Sequence, residues 1–369
     1  MNIRHIPAPA SAHAPRRAHD GPVPVHLAGL GTALPPHALP QDEVLDHARR
    51  ILAPKFPQFE RLVPAFTTAG VDCRHSVAPF EWFETPRTWP ERNALYMTGA
   101  RQLFIDAARA ALDDAGLEAR EVDTVVTVSS TGIATPTLDA QAAQELGFRT
   151  DLRRVPLFGL GCAGGVTGLA TARMLAAADP GSTVLMVAVE TCSLSFRSDR
   201  LRKADIIATV LFGDGAAAAV LRSGDGDGPR LGMGVEHRWP DTLDIMGWSV
   251  EEDGLGVIFD RSIPGFARAE FRGAVDTALK TAGLTIDQID RFVCHPGGTK
   301  VVHAIEAALD LADGTLDAER DVLRRAGNMS APTVLFVLGD VLKRGTTGQM
   351  MLGALGPGFT ASFLPITVG

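Results

Sequence analysis

Sulfur is scarce: the chain has four cysteines in 369 residues, at positions 73, 162, 192 and 294, with no CxxC pair. That spacing excludes a disulfide framework and a zinc ribbon, and it suits a reducing cytoplasm, where the protein is expected to reside. Positive charge is also short, with 35 Lys and Arg against 43 Asp and Glu and a formal net charge of −8. A nucleic-acid partner, which needs a basic face, is therefore not expected. Basic residues cluster at Arg197, Arg200, Arg202 and Lys203, which reads as a solvated face. No apolar run approaches the roughly 20 residues that span a bilayer, so no transmembrane segment is expected. Residues 1–22 are rich in Ala, Pro, His and Arg and lack the apolar core of a signal peptide. They are expected to form a flexible arm ahead of a soluble enzyme. No glycine-rich turn has GxGxxG spacing with an acidic residue downstream, and no metal-ligand cluster stands out, so neither a cofactor nor a metal is expected.

What is present is the balance of a globular enzyme, 46% hydrophobic and 21% charged. Regular structure is expected to begin at Val25 with an apolar strand that ends in Gly and Pro. Residues 41–70 read as helix and connection, and Phe80 to Trp89 as an irregular aromatic loop. Asn93 to Ala115 carries a helical stripe that stops at Gly116, and Val122 to Val128 follows as a buried strand.

The chain repeats itself. AALDDAGLEAREVDTVVTV, ending at Val128, is echoed 167 residues later by TALKTAGLTIDQIDRFVCH, ending at His295. In the same order, Gly161-Cys162 falls opposite Gly327-Asn328, and Thr183–Val187 opposite Met350–Ala354. Two echoes at nearly one offset predict a duplicated α/β unit. In each half a Gly-rich turn leads into an apolar helical stretch and then a strand. Packed about a pseudo-twofold axis, Cys162 and Asn328 would start two facing helices, with His295 arriving from a strand end. Such junctions are where α/β folds place their sites.

Cys162 stands in GLGCAGG, where the glycines permit a tight turn and a helix N-terminus would favour the thiolate. A pKa lowered to about 6 would leave it roughly 90% ionised. A free cysteine is usually a small buried hydrophobe, and that is how Cys192 and Cys294 read. Only Cys162 sits in a Gly-rich turn. His295, in FVCHPGG, ends a strand at a Pro-Gly-Gly break. Asn328, in AGNMSAP, would ordinarily cap a helix. Cys, His and Asn together suit a cysteine hydrolase. They equally suit acyl transfer with decarboxylation, where His and Asn donate hydrogen bonds to an enolate oxygen.

At these residues the sequence resembles the type III polyketide synthases, the chalcone synthase-like branch of the thiolase superfamily. GCAGG at Cys162, LFGDGAAAAVL from Leu211, HPGG from His295, GNMS from Gly327 and GPGF from Gly356 occur in the family's order. TGIATPTLDAQ from Thr131 and WPERNA from Trp89 extend the match. The resemblance implies an α/β thiolase fold of two pseudo-symmetric halves in αβαβα layers. Residues 23–230 would carry Cys162, and residues 231–369 would carry His295 and Asn328. It further implies a homodimer, a pantetheine tunnel, and acyl-CoA and malonyl-CoA as substrates.

On that pattern Cys162 carries the acyl group, while His295 and Asn328 hold the enolate. Phe212 shields the decarboxylating malonyl unit, and Gly356, Pro357 and Gly358 shape the cavity. Ser130 and Ser330 are expected on the substrate pocket. Ala134, Thr135 and Ser195 replace bulkier plant residues and leave room. Together with WPERNA and ETCSLSFRS, they resemble bacterial members that make alkylresorcinols or alkylpyrones from fatty acyl-CoA. Arg61 is the expected CoA contact. A single-condensation ketoacyl synthase III, a cysteine hydrolase and a non-catalytic partner subunit are the competing readings.

Overall fold

The computed structural model describes residues 23–198 and 202–369. The expected arm over 1–22 and Arg200 lie outside the described residues.

In the first half, β1 (Val25–Ala33), β2 (His37–Pro40) and α1 (Gln41–Leu52) are followed by α2 (Val63–Thr68) and β3 (Cys73–Ser76). Then come α3 (Trp89–Ala115), β4 (Thr124–Val128), α4 (Leu138–Leu146) and β5 (Arg153–Leu157). The half closes with α5 (Gly164–Ala178), β6 (Thr183–Thr191), α6 (Lys203–Leu211) and β7 (Asp214–Ser223). The remaining elements are β8 (Arg230–Leu231), β9 (Val235–Arg238), β10 (Met246–Glu251), β11 (Gly254–Phe259) and α7 (Ile263–Ala282). After these come β12 (Arg291–Cys294), α8 (Thr299–Ala308), α9 (Asp317–Ala326), α10 (Thr333–Lys343), β13 (Gly348–Gly356) and β14 (Thr360–Val368).

The echo in the sequence is an echo in structure. α3 and α7 both end at a left-handed glycine, Gly116 and Gly283. A short 3-10 turn with a capping box then leads into β4 in one half and β12 in the other. β4 runs parallel to β6, and β12 parallel to β13. β6 and β13 then pair antiparallel with β7 and β14. β8 bonds to both β1 and β14, so the two sheets join edge to edge.

Five layers result. α3 and α4 pack outside the first sheet, and α7 and α8 outside the second. α5 and α10 lie between the sheets in the largest apolar cluster, with Val166, Leu169, Val334 and Leu338 among its members. All nine residues of β6 are buried, because a strand covered on both faces reads as a continuous apolar run. Each fully buried Val or Leu contributes about 1.5–3 kcal/mol. The two central helices meet closely at Gly165, where a Cβ would stand 2.2 Å from the Ala331 carbonyl oxygen.

Three local expectations change. The aromatic segment is not wholly irregular: Phe80–Glu84 forms a 3-10 turn, with Trp82 and Phe83 edge to face. α3 begins at Trp89, four residues before the periodic stripe, because Thr88 and Glu91 form a capping box ahead of it. Arg197 is not on a solvated face but buried, ion-paired with Glu251 and Asp253.

Candidate active site

Cys162 occupies a 3-10 turn, Gly161–Ala163, that runs directly into α5. Gly161 has φ +49°, and a Cβ there would meet Pro357 Cδ at 2.7 Å. The reactive turn of one half is thus seated on the β13–β14 hairpin of the other. Ser130 accepts a hydrogen bond on its Oγ from the Gly161 N–H at 3.3 Å, fixing the turn from the β4 side.

Asn328 lies five residues before α10 rather than at its N-cap. It forms a parallel bridge with Phe212, and the Gly213 N–H donates to its carbonyl at 3.0 Å. This bridge, absent from the sequence pattern, ties the LFGDG and GNMS motifs into one unit. The Asn328 amide donates to the Gly297 carbonyl at 3.2 Å and accepts from the Ser330 N–H at 2.8 Å. Ser330 adopts φ +60°, and both Ser330 and Asn328 act on the Cys162 thiol in the direction that favours the anion. His295 directly follows β12, its N–H bonded to the Gly353 carbonyl at 2.8 Å. Its ring is buried, and neither ring nitrogen has a hydrogen-bond partner among the described residues.

The electrostatics reverse the expectation of a standing thiolate. Burial pushes the Cys162 thiol up to about 11, against the hydrogen bonds from Ser330 and Asn328 that favour the anion. Burial likewise holds the His295 imidazole down to about 3. Desolvation is the largest influence on both groups. At neutral pH the resting pair is therefore thiol and neutral imidazole.

The thiol faces a void of about 420 Å³ lined by Ser130, Cys162, Phe212, Ser330 and Pro357, with Trp248, Val257 and Phe259 from the β10–β11 hairpin. Phe212 meets Phe259 edge to face at 6.2 Å. Cys192 opens a 3-10 turn after β6 and lines the same void, so it is more than the core residue it resembles in sequence. Cys294 does sit in the outer core of the second half. Gly356 and Gly358 flank Pro357 on the hairpin. A Cβ on Gly356 would lie 2.7 Å from the Ala163 nitrogen.

Other expected residues lie apart from the thiol. Ser195 lines an adjoining apolar cavity and donates its hydroxyl to the Cys192 carbonyl at 2.7 Å. Ala134 lines a different hollow of about 480 Å³ with Tyr96, Leu157 and Phe158. Thr135 is exposed beside it. Arg61 is also exposed, bonded to Gln58 at 3.3 Å. Arg74 lines the adjoining cavity itself, and Arg50 and Lys55 lie in a surface depression that shares Ile51 with it.

Glu190, absent from the expected set, accepts from the Ser130 N–H and the Thr131 hydroxyl at 2.7–3.1 Å beneath the reactive turn. Burial raises its carboxyl to about 7. A single acid closing the apolar run TVLMVAVET was the legible signal. No group of His, Cys, Asp and Glu able to hold a metal occurs among the described residues.

Comparison with known proteins places this arrangement. Residues 81–225 match the N-terminal domain of chalcone and stilbene synthases, and residues 231–366 match their C-terminal domain. A 1,3,6,8-tetrahydroxynaphthalene synthase from Streptomyces peucetius subsp. caesius is 39% identical over 348 residues, covering 92% of each chain. A putative chalcone synthase from Bacillus subtilis (strain 168) is 33% identical over 354 residues, covering 92% of this chain and 97% of its own. The crystal structure of the 1,3,6,8-tetrahydroxynaphthalene synthase of Streptomyces coelicolor A3(2) superposes with a TM-score of 0.88 at 29% identity, over 93% of this chain and 99% of that one. The chain therefore belongs to the chalcone and stilbene synthase family and is a type III polyketide synthase, an acyltransferase on a thiolase-like fold.

Proposed function

We propose that this synthase loads a medium- or long-chain fatty acyl group from CoA onto Cys162 and extends it repeatedly with malonyl-CoA, giving an alkylresorcinol or alkylpyrone. The observation that carries the catalytic assignment is the buried His295 ring with two unpartnered nitrogens. It lies two residues before Gly297, whose carbonyl accepts from the amide of Asn328, a residue that acts on the Cys162 thiol. Buried donors without acceptors are costly in the resting fold and are satisfied by a substrate oxygen.

The neutral pair sets the order of events. As the Cys162 sulfur attacks the acyl-CoA carbonyl, its proton passes to His295 and then to the departing CoA sulfur. Malonyl-CoA next loses carbon dioxide. The electrons of the broken C–C bond become an enolate whose oxygen accepts from the His295 N–H and the Asn328 amide. The enolate carbon attacks the acyl-Cys162 carbonyl, a C–C bond forms, and the Cys162 sulfur leaves as a thiolate that takes a proton from solvent, after which the lengthened chain, now on CoA, is reloaded onto Cys162. Phe212, bridged to Asn328 and packed on Phe259, keeps water from the enolate. Ser130, Ser330 and the Gly356-Pro357-Gly358 hairpin shape the wall.

The fatty starter is supported by the apolar cavity next to the thiol, which Ser195 helps line with a small side chain. Arg61 is assigned to the CoA phosphates on resemblance. A homodimer is supported by Ile133 and Phe158, 53% and 62% exposed around the loop of Ala134 and Thr135. Four free cysteines agree with a cytoplasmic setting.

Purified enzyme given acyl-CoA starters from acetyl to stearoyl with malonyl-CoA is expected to release carbon dioxide and form aromatic or pyrone lipids. No malonyl-CoA turnover with any starter refutes the proposal. A second reading, a polyketide without a fatty chain, is favoured by relatives named for tetrahydroxynaphthalene and phloroglucinol. Product masses separate the two.

A further inference from the structure

β12 is the last strand in the order of its sheet and pairs with β13 in parallel. Cys294 stands opposite Gly353 in that register, yet the N–H that donates to the Gly353 carbonyl is that of His295. The Cys294 N–H donates instead to Glu319 Oε1, at 2.9 Å. The other oxygen of the same carboxyl, Oε2, accepts from Arg291 Nη2 at 2.6 Å, and Arg291 opens β12. One side chain thus holds both ends of a four-residue strand, immediately before His295.

Glu319 belongs to the first turn of α9. That helix ends at Ala326, and Gly327 and Asn328 follow directly. The strand that leads to His295 and the helix that leads to Asn328 are therefore joined by one carboxyl group. Glu319 is fully buried and lies outside the lining of the thiol void. Burial pushes its carboxyl up to about 7, while Arg291 and the Cys294 N–H pull it down. An apolar side chain of that volume would fill the space without desolvating a charge. It could not accept two hydrogen bonds from β12. The enolate needs the His295 ring and the Asn328 amide at one oxygen, and such donors act only when held within about 0.5 Å of the productive position.

We propose that Glu319 is a positioning residue for decarboxylation, setting the separation between the His295 ring and the Asn328 amide by clamping β12 to α9. This rests on the reading of His295 and Asn328 as the donors to the enolate.

Three variants of the full chain test it. Glu319→Leu keeps the volume and removes both acceptors, and Glu319→Gln restores an acceptor for the Cys294 N–H. Leu103→Ala opens a cavity in the outer core of the first half and controls for lost stability. Hydrogen exchange over residues 291–297 reads the clamp without turnover. It should quicken at least tenfold in Glu319→Leu and stay within threefold of the intact enzyme in Glu319→Gln. Malonyl-CoA decarboxylation per folded enzyme should lose about tenfold to a hundredfold in kcat in Glu319→Leu, with KM within twofold. Glu319→Gln should recover most of that loss, and Leu103→Ala should show none of it. Unchanged exchange in Glu319→Leu overturns the proposal. So does a kcat loss no larger than that of Leu103→Ala, or a glutamine variant as impaired as the leucine one. If the intact enzyme itself does not decarboxylate malonyl-CoA, that failure belongs to the synthase reading, and the exchange result alone upholds or overturns the clamp.

Discussion

Gly161 and Pro357 touch across the pseudo-symmetric halves, the missing Cβ of one leaving only the room that the ring of the other occupies, 2.7 Å from Cδ. The backbone at Gly161 is also left-handed, φ +49°, a region in which an L side chain is strained. Gly161→Ala therefore meets a steric and a conformational obstacle at once. We expect a loss of about 1–3 kcal/mol of stability, measured by denaturant unfolding. Condensation activity should fall further than stability alone explains, because the thiol turn must shift. Wild-type activity in a folded Gly161→Ala enzyme would show that the seat on Pro357 does not position Cys162.

Cys162→Ala should abolish condensation while slow malonyl-CoA decarboxylation continues, since His295 and Asn328 keep their donors. Carbon dioxide release and product mass are read from the same reaction. Polyketide made by the alanine variant would remove Cys162 from the nucleophile's role.

The neutral resting pair is open to a direct measurement. With the Cys162 thiol at about 11 and the His295 imidazole at about 3, the sulfur is protonated throughout the ordinary working range. Its alkylation by iodoacetamide should be slow at pH 7 and climb about tenfold per pH unit well past pH 9. Peptide masses after digestion resolve Cys162 from the other thiols. An alkylation profile already flat by pH 7 would restore the standing thiolate that the sequence suggests.

Much of this architecture was legible beforehand, for physical reasons that can be named. The 167-residue echo gave two halves because helix stops, turns and strands of fixed length must recur when a unit is duplicated. Cys162, His295 and Asn328 stood out because glycine and proline mark the chain reversals that expose a side chain. What stayed hidden depends on partners remote in sequence. Arg74 gives no sign on its own of being buried behind Gly327. Cys192 looks like core until the turn after β6 brings it beside the thiol. The protonation of Cys162 could not be read from the helix terminus, because desolvation is set by what packs around it.

Glu190 gives the fold a pH dependence whose sign is fixed. Its folded value of about 7 lies above the ordinary 4.5, so the native state binds the proton more tightly than the unfolded chain. That stabilisation is full below pH 4.5 and is lost as pH rises through 7. The shift corresponds to about 3 kcal/mol at most. The thermal midpoint should fall between pH 5 and pH 8, and Glu190→Gln should shrink that fall. An unchanged fall in the glutamine variant would assign it to other buried carboxyls, such as Asp214 at about 6.

Asn328 separates the two half-reactions. Its amide nitrogen donates to Gly297, and its oxygen accepts from Ser330. Asn328→Asp keeps the acceptor, sets a carboxylate against the Gly297 carbonyl, and removes a donor from the enolate. Loss of one such donor costs about a hundredfold to a thousandfold in rate. Malonyl-CoA decarboxylation should drop by that factor. Acylation of Cys162, followed by intact mass with starter alone, should slow less, because its proton goes to His295. Equal losses in both steps would mean that Asn328 only holds the GNMS loop in place. Selective loss of decarboxylation ties its amide to the oxygen on which the negative charge develops.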